Sequence, residues 1–306
     1  MNKKGLLIVI MGPTASGKTS LSVALAKKYK AEIISADARQ FYREMNIGTA
    51  KPSSEELSAV PHHFINSCSI HDSYSVGQYR DEVISFLDSY FQQHPVSILC
   101  GGSGLYIQAV LEGQDEFPAV DPTIREMLKQ NYSESGIQYL QDYLKIVDPA
   151  YYQRVDIQNP HRLIRALEVC ISSQKPYSSF LGQNKEDFPY QVVKIALDWP
   201  RDLLYDRINQ RVDDMVNQGL LNEAKSLFEH RNLNALQTVG YVELFQFLEG
   251  ILSWEQAIEK IKQHSRNYAK RQMTWLRKEK ELHWVTVSDN TVGDVSVIVN
   301  SIISNN

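Results

Sequence analysis

Residues Leu6 to Met11 are apolar without interruption, the pattern of a central parallel strand covered on both faces. Gly12 breaks the run, and from Thr19 to Lys28 Leu21, Ala24 and Leu25 recur at helical spacing. A second short apolar run, Ile33-Ile34, ends at Ser35-Ala36-Asp37. Val83, Phe86, Leu87 and Tyr90 predict another helix, and Val96 to Cys100 a strand that stops at Gly101-Gly102-Ser103-Gly104. Strand, helix, strand, helix, strand predicts an α/β fold built on a doubly wound parallel sheet.

From about Gln114 to Tyr190 no strand pattern is evident, and three helix starts share one punctuation: Asp121-Pro122, Asp148-Pro149 and Asn159-Pro160. Asp or Asn suits the N-cap, and proline suits the first helical position, where its missing N–H has no partner to lose. A helical insertion over residues 114–190 is expected between core segments 1–113 and 191–306. The core resumes with a strand over Val192 to Leu197, ending at Asp198-Trp199-Pro200, after which helices are expected to dominate. The clearest runs from Trp254 to about Lys280, opened by Ser253 with Gln256 three residues on. Trp254, Ile258, Ile261, Tyr268 and Trp275 should face the core. Residues 301–306 are expected to fray.

Composition changes this picture little. The chain has 306 residues, 43% of them hydrophobic and 22% charged, ordinary values for a globular protein. A formal net charge of -4 argues against a uniformly basic nucleic-acid coat, though its distribution matters more than the sum. Cys68, Cys100 and Cys170 are too scattered for a disulfide framework or a zinc site, which fits a reducing compartment. The start, Met1 to Lys4 and then an apolar run, is too short for a signal h-region, and no run approaches the ~18 apolar residues of a membrane span. A cytoplasmic protein is expected, with no membrane partner.

The chemistry concentrates in Gly12-Pro13-Thr14-Ala15-Ser16-Gly17-Lys18-Thr19, a complete GxxxxGK(S/T) loop between a strand and a helix. Its backbone N–H groups turn inward on an anion, and the following helix adds its positive end. Lys18 brings a point charge to the terminal phosphate, and the Thr19 hydroxyl can ligate Mg²⁺. The motif binds a di- or triphosphate without saying which.

An ordinary P-loop hydrolase places an acid at the end of a nearby apolar strand. Here Val96 to Cys100 ends in glycines and Ser103, and Asp198 is the rival, equally readable as a cap. Asp37 lies just past the second strand, at the edge where such sheets bind ligands, and could take a proton from a nucleophile or serve as a turn-forming residue. Arg207 and Arg211 share a helical face and suit a leaving diphosphate, or surface ion pairs with Asp206 and Asp213. Between Lys260 and Lys280 eight basic residues face the single acid Glu279, and Arg266, Lys270 and Arg277 could line one strip for a phosphate backbone or remain a solvated face. His161, Arg162 and Arg165 form a smaller cluster. His62-His63 has no metal-ligand spacing and is expected to pack within a loop.

Read together, Gly12 to Thr19, Ser35-Ala36-Asp37, Asn46 to Pro52, Pro61-His62-His63, Gly101 to Ile107, Asn159 to Val169, Gln237 to Tyr241 and Tyr268 to Arg277 resemble, in order, the signatures of the bacterial tRNA dimethylallyltransferases. The resemblance covers nearly the whole chain. It implies transfer of a dimethylallyl group from its diphosphate to the exocyclic amine of the adenosine 3′ of the anticodon, in tRNAs reading codons that begin with U. It makes Asp37 the general base and lets Ser103 orient Asp37 or the acceptor base. Lys18, Thr19 with Mg²⁺, and Arg211 would stabilise the departing diphosphate. It assigns tRNA contacts to Asp37, Ala38, Arg39, Gln40 and Ser103, to Arg125, and to His161, Arg162, Leu163, Ile164 and Arg165. Gln237, Thr238, Val239, Gly240, Tyr241 and Val242 follow in the same role. The insertion would grip the anticodon stem-loop of tRNA, with dimethylallyl diphosphate as the second partner and a single copy of the chain sufficing. Ala38 stands where the family usually has Ser, Ser103 where Thr is usual, and Asn66 where Asp is frequent. On the residues alone, a P-loop nucleoside or nucleotide kinase and a nucleotide-gated RNA-binding switch remain the alternatives.

Overall fold

A computed structural model of the chain describes residues 5–183 and 188–304. Six parallel strands form one sheet in the order β3-β2-β4-β1-β5-β6. The first half runs β1 (Leu6–Met11), α1 (Lys18–Tyr29), β2 (Ile33–Ser35), α2 (Ser54–Ala59), β3 (His62–His63), α3 (Val76–Tyr90), β4 (Val96–Gly101) and α4 (Gly104–Glu112). After α5 (Pro122–Ser135), α6 (Ile137–Val147), α7 (Pro149–Tyr152) and α8 (Pro160–Ser173) come β5 (Gln191–Asp198), α9 (Arg201–Asn217), α10 (Leu220–Leu227), α11 (Tyr241–Leu248), α12 (Trp254–Leu276), β6 (Leu282–Thr286) and α13 (Thr291–Ser304).

The two-residue period of β1 explains why it is apolar throughout. Leu7, Val9 and Met11 enter one hydrophobic cluster with α3 and α10–α12, while Leu6, Ile8 and Ile10 enter another with α1 and α13. All six residues are buried, so each face of this central strand removes apolar surface from water. The parallel sheet with helices matches the expected α/β class, and its carboxyl edge gathers the loops that follow β1, β2 and β4.

Contacts divide the chain into two compact units, Met1–Leu111 with Phe188–Asn306, and Glu112–Asp187. In the second unit α5, α6 and α8 enclose Leu128, Leu140, Leu144, Leu163 and Leu167. All three Asx-Pro starts are true caps: Asp121 accepts from Thr123 N, Asp148 from Tyr151 N, and Asn159 from Arg162 N. Asp148 also accepts from the Ser178 amide and hydroxyl at 2.6 and 2.8 Å, which satisfies a carboxylate that is otherwise fully buried.

Four expectations need correction. The helix opened by Ser253 ends at Leu276, not near Lys280, because the chain must turn to enter β6, and Glu281 there has a positive φ of 55°. That edge strand was not anticipated, since only Val285 of its five residues is buried and no apolar run marks it. His62 and His63 form the other edge strand instead of lying in a loop, with His63 Nε2 2.6 Å from Glu32. The end of the chain is helical through Ser304, and residues 305 and 306 lie outside the described residues.

Candidate active site

The loop between β1 and α1 turns through two left-handed residues, Ala15 at φ 62° and Gly17 at φ 90°. Gly17 is the residue that tolerates this conformation without strain. Gly12 is required for a different reason, since a Cβ there would lie 2.7 Å from Ser16 Oγ. The Ser16 hydroxyl is buried and has no hydrogen-bond partner among the described residues. A loop with an orphaned donor and inward amides is built for an anion that brings its own oxygens.

Two helices from the second half of the sequence, α9 and α12, hold this loop together with Trp199 just past the end of β5. Trp199 Nε1 donates to Ser16 O at 3.0 Å, and Arg207 of α9 donates to Ala15 O at 2.9 Å while lying 4.5 Å over the Trp199 ring. Arg211, one turn on, reaches Thr14 Oγ1 at 3.3 Å and Ala50 O at 3.4 Å. Both arginines therefore serve the cradle, and the reading as surface ion pairs with Asp206 or Asp213 fails: Asp213 pairs with Lys262 at 2.7 Å. From α12, the buried Gln272 accepts from Thr14 N at 2.8 Å and donates to Gly102 O at 2.9 Å, bridging the loops after β1 and β4. Neither this bridge nor Trp199 was foreseen. Gln272 lies inside a stretch quoted for the resemblance, but no local pattern distinguishes a bridging glutamine from a surface one.

The ends of β2 and β4 bring the proposed base and its neighbour together. Ala36 N donates to Cys100 O at 2.8 Å, and Ser103 N donates to Ala36 O at 3.3 Å. Ser103 Oγ accepts from Ala38 N at 3.0 Å, and the Tyr268 hydroxyl lies beside it. Asp37 Oδ1 accepts from Arg39 N at 2.9 Å, which fixes one carboxylate oxygen. Tyr268, expected to face the core, is 38% exposed and turns toward Ser103 instead.

A cleft of ≈ 710 Å³ runs along this edge, lined by the phosphate loop together with Asp37, Lys51, Glu56, Arg207, Arg211 and Tyr268. A smaller cavity of ≈ 130 Å³ adjoins it, with Val212, Met215, Val239 and Ile261 as apolar walls. Thr14, Asp37, Arg211, Met215 and Tyr268 line both. Asp198 lines neither, so its part is confined to the strand end. Burial pushes Lys18 down to about 8, with Arg211 adding to the fall and Cys100 and Asp37 opposing it. Its ammonium donates to Pro13 O at 2.7 Å. Burial likewise lowers Arg211 from its usual range, against the pull of Asp37. Two desolvated cations facing one cleft form a strong anion site.

Among the described residues no group of three His, Cys, Asp or Glu gathers as a metal cage. The Thr19 hydroxyl lines the cleft, so an oxygen-ligated divalent ion fits where it shares its shell with a bound diphosphate.

The loop 46–52 walls the cleft and is held by Glu223 of α10, which accepts from Asn46, Ile47 and Gly48 N at 2.8–2.9 Å and from the Tyr241 hydroxyl at 2.6 Å. Lys51 donates to Tyr42 O, Asn46 Oδ1 and Asn66 Oδ1, so Asn66 keeps the hydrogen bond that an Asp would make. Tyr241 is fully buried and Gly48 packs on its ring, which corrects its assignment as a tRNA contact. Gln237 is exposed, and Thr238, Val239 and Gly240 line the smaller cavity. Arg39 reaches Asn234 O at 3.2 Å, and Gln40 caps the carbonyls of Thr49 and Ala50.

In the second unit Leu163 and Ile164 are buried in the helical core, so they do not qualify as tRNA contacts, while His161 and Arg162 are exposed. Arg125 and Arg165 both donate to the fully buried Glu168 at 2.6 Å, and their side chains stay 49% and 40% exposed. The basic strip of α12 is shorter than expected, because Arg266 pairs with Asn209 and Glu259 and Lys262 with Asp213.

Comparison with known proteins agrees with this geometry. The IPP transferase family matches residues 40–279. The tRNA dimethylallyltransferase of Christiangramia forsetii is 52% identical over 285 residues, 93% of this chain and 94% of its own length. That of Flavobacterium johnsoniae is 48% identical over 305 residues, covering 98% and 97%. The solved full-length tRNA isopentenylpyrophosphate transferase of Bacillus halodurans superposes with a TM-score of 0.73 at 37% identity, over 98% of this chain and 97% of that one. A eukaryotic dimethylallyltransferase acting on tRNA superposes at 0.82 with 25% identity, over 98% and 80%. With a family match across most of its length, relatives near half identity and the same fold, the chain belongs to the tRNA dimethylallyltransferase family.

Proposed function

We propose that the chain transfers a dimethylallyl group from dimethylallyl diphosphate to the exocyclic amine of the adenosine 3′-adjacent to the anticodon, in tRNAs reading codons that begin with U. The observation that carries this reading is one cleft lined by a phosphate cradle, two cations and a carboxylate: Lys18, Arg211 and Asp37. The cradle takes the diphosphate, and the smaller cavity, bordered by Asp37, Arg39 and residues 238–240, takes the flipped adenine. The reacting carbon then lies at the wall the two share.

As the allylic C–O bond breaks, its electron pair leaves with the diphosphate oxygen, where Lys18 and Arg211 neutralise the growing charge. The adenine amine forms the new N–C bond, and Asp37, aligned by the Arg39 amide, receives the proton released from nitrogen. Ser103 fixes the Ala38 amide and so the direction of the segment carrying Asp37. Thr19 would be the protein ligand for Mg²⁺, which would supply positive charge beside the diphosphate. Arg125, His161, Arg162 and Arg165 of the helical insertion, with Gln237 and the basic strip of α12, supply backbone contacts to the anticodon stem-loop.

The test is to incubate the protein with Mg²⁺, dimethylallyl diphosphate and unmodified tRNA bearing a UNN-reading anticodon, digest the RNA, and measure isopentenyladenosine by mass spectrometry. The modified nucleoside is the expected product. ATP consumption with a small nucleoside acceptor and no modified tRNA would instead make the chain a kinase.

A further inference from the structure

We infer that Tyr268 is a catalytic residue whose ring face stabilises the positive charge developing on the allylic carbon. This inference rests on the transferase reading above and goes beyond it by giving that charge a partner.

The lining and the charges of the cleft converge on this side chain. Tyr268 lines both the large cleft and the small cavity, and among the described residues it is the one aromatic residue lining either. The reacting carbon belongs at the wall those two spaces share, and the polar groups there are already committed. Arg211, which lines both, and Lys18 of the large cleft are cations that favour the leaving diphosphate and repel a carbocation. Asp37 is the proton acceptor, and a carboxylate in contact with an allylic cation would be alkylated by it. A ring quadrupole attracts a cation without capturing it and without competing for the diphosphate.

The ring's surroundings suit this role. The Arg271 guanidinium sits 5.7 Å from its centroid, so the ring already faces one cation. Its hydroxyl lies beside Ser103, whose Oγ holds Ala38 N at 3.0 Å, so the ring borders the segment that carries Asp37. Burial, reinforced by Asp37, pushes the phenol up to about 12. It therefore stays protonated at working pH and is a poor nucleophile toward the same carbon.

The test separates electronics from shape. Position 268 is replaced by phenylalanine and then by phenylalanines carrying one, two, three and five ring fluorines, which weaken the quadrupole at nearly constant size. Single-turnover transfer is measured with saturating dimethylallyl diphosphate and unmodified tRNA, alongside the dissociation constant for each. The rate is expected to fall stepwise with fluorination, by about tenfold or more over the series, while both dissociation constants stay within about twofold. Tyr268→Leu should fall at least as far as the pentafluoro variant. A flat series with an active wild-type chain overturns the inference alone, as does a loss that appears in donor affinity with the rate unchanged. Absence of transfer by the wild-type chain overturns the transferase reading, and this inference with it.

Discussion

Replacing Gly101 with alanine tests how closely the carboxyl ends of β2 and β4 must approach for Asp37 to work. Gly101 closes β4 beside Ala36, and the Ala36 N to Cys100 O bond at 2.8 Å draws the strand ends together. An added Cβ would lie 2.1 Å from Ala36 O and 2.5 Å from its carbonyl carbon, both backbone atoms that no rotamer change can move. Restoring ordinary contact at 3.4 Å opens the pair by about 1.3 Å. Asp37 follows Ala36 directly, so the carboxylate moves with it. A misplacement of about 1 Å costs roughly a hundredfold in rate, and overpacking of this kind costs about 1–3 kcal/mol in stability. Gly102→Ala is the matched control. Its Cβ meets the end of the Gln272 side chain at 2.3 Å, with the next atoms at 3.6 Å, so a side-chain rotation relieves it while Ala36 stays in place; the Gln272 bridge to Thr14 N and Gly102 O is weakened, and a loss smaller than that of Gly101→Ala is expected. Single-turnover transfer and urea denaturation of both variants decide the matter. Wild-type turnover in Gly101→Ala, or an equal loss in Gly102→Ala, would refute the reasoning.

Two further predictions follow from charge. Lys18, held at about 8 in the ligand-free cleft, is neutral above that pH and regains its proton when a diphosphate binds. Donor affinity should therefore fall as pH rises past 8, and calorimetry at pH 8.5 in buffers of different ionisation enthalpy should show uptake of roughly three-quarters of a proton, absent in Lys18→Met. In the insertion, burial raises the Glu168 carboxyl, but the hydrogen bonds and charges of Arg125 and Arg165 outweigh it and leave the group below its ordinary value. Its stabilising contribution is thus present at neutral pH and lost as pH falls through that lowered value. Glu168→Ala should cost about 3 kcal/mol, the low end for breaking a buried pair because both guanidinium groups reach solvent. Hydrogen exchange confined to residues 112–187 should accelerate while donor affinity is unchanged; unaltered exchange would contradict the pairing.

The sequence was most readable where one local rule acted alone. The buried β1 run, the phosphate loop and the three Asx-Pro caps each state their structure within a few residues. Edge strands were invisible, because β3 has two residues and β6 buries one of five, leaving no period to detect. At the site, Lys18, Asp37, Ser103 and Arg211 come from strand ends and a helix face that spacing could suggest. Gln272 and Trp199 could not be found this way: they bond the phosphate loop from 258 and 183 residues away. Tyr268 was misplaced by periodicity itself, since its spacing fits the apolar stripe of α12 while its side chain lines the clefts. The resemblance also assigned whole segments to tRNA, whereas burial removes Leu163, Ile164 and Tyr241 from any surface.

The central claim is that Asp37 takes the proton from the attacking amine while the phosphate cradle holds the leaving group. Asp37→Asn keeps the hydrogen bond from Arg39 N and the shape of the cleft but removes the base. With tRNA and dimethylallyl diphosphate both bound at near wild-type affinity, one turnover should slow by about 10²–10⁴-fold. Isopentenyladenosine formed by Asp37→Asn at the wild-type rate would contradict the account.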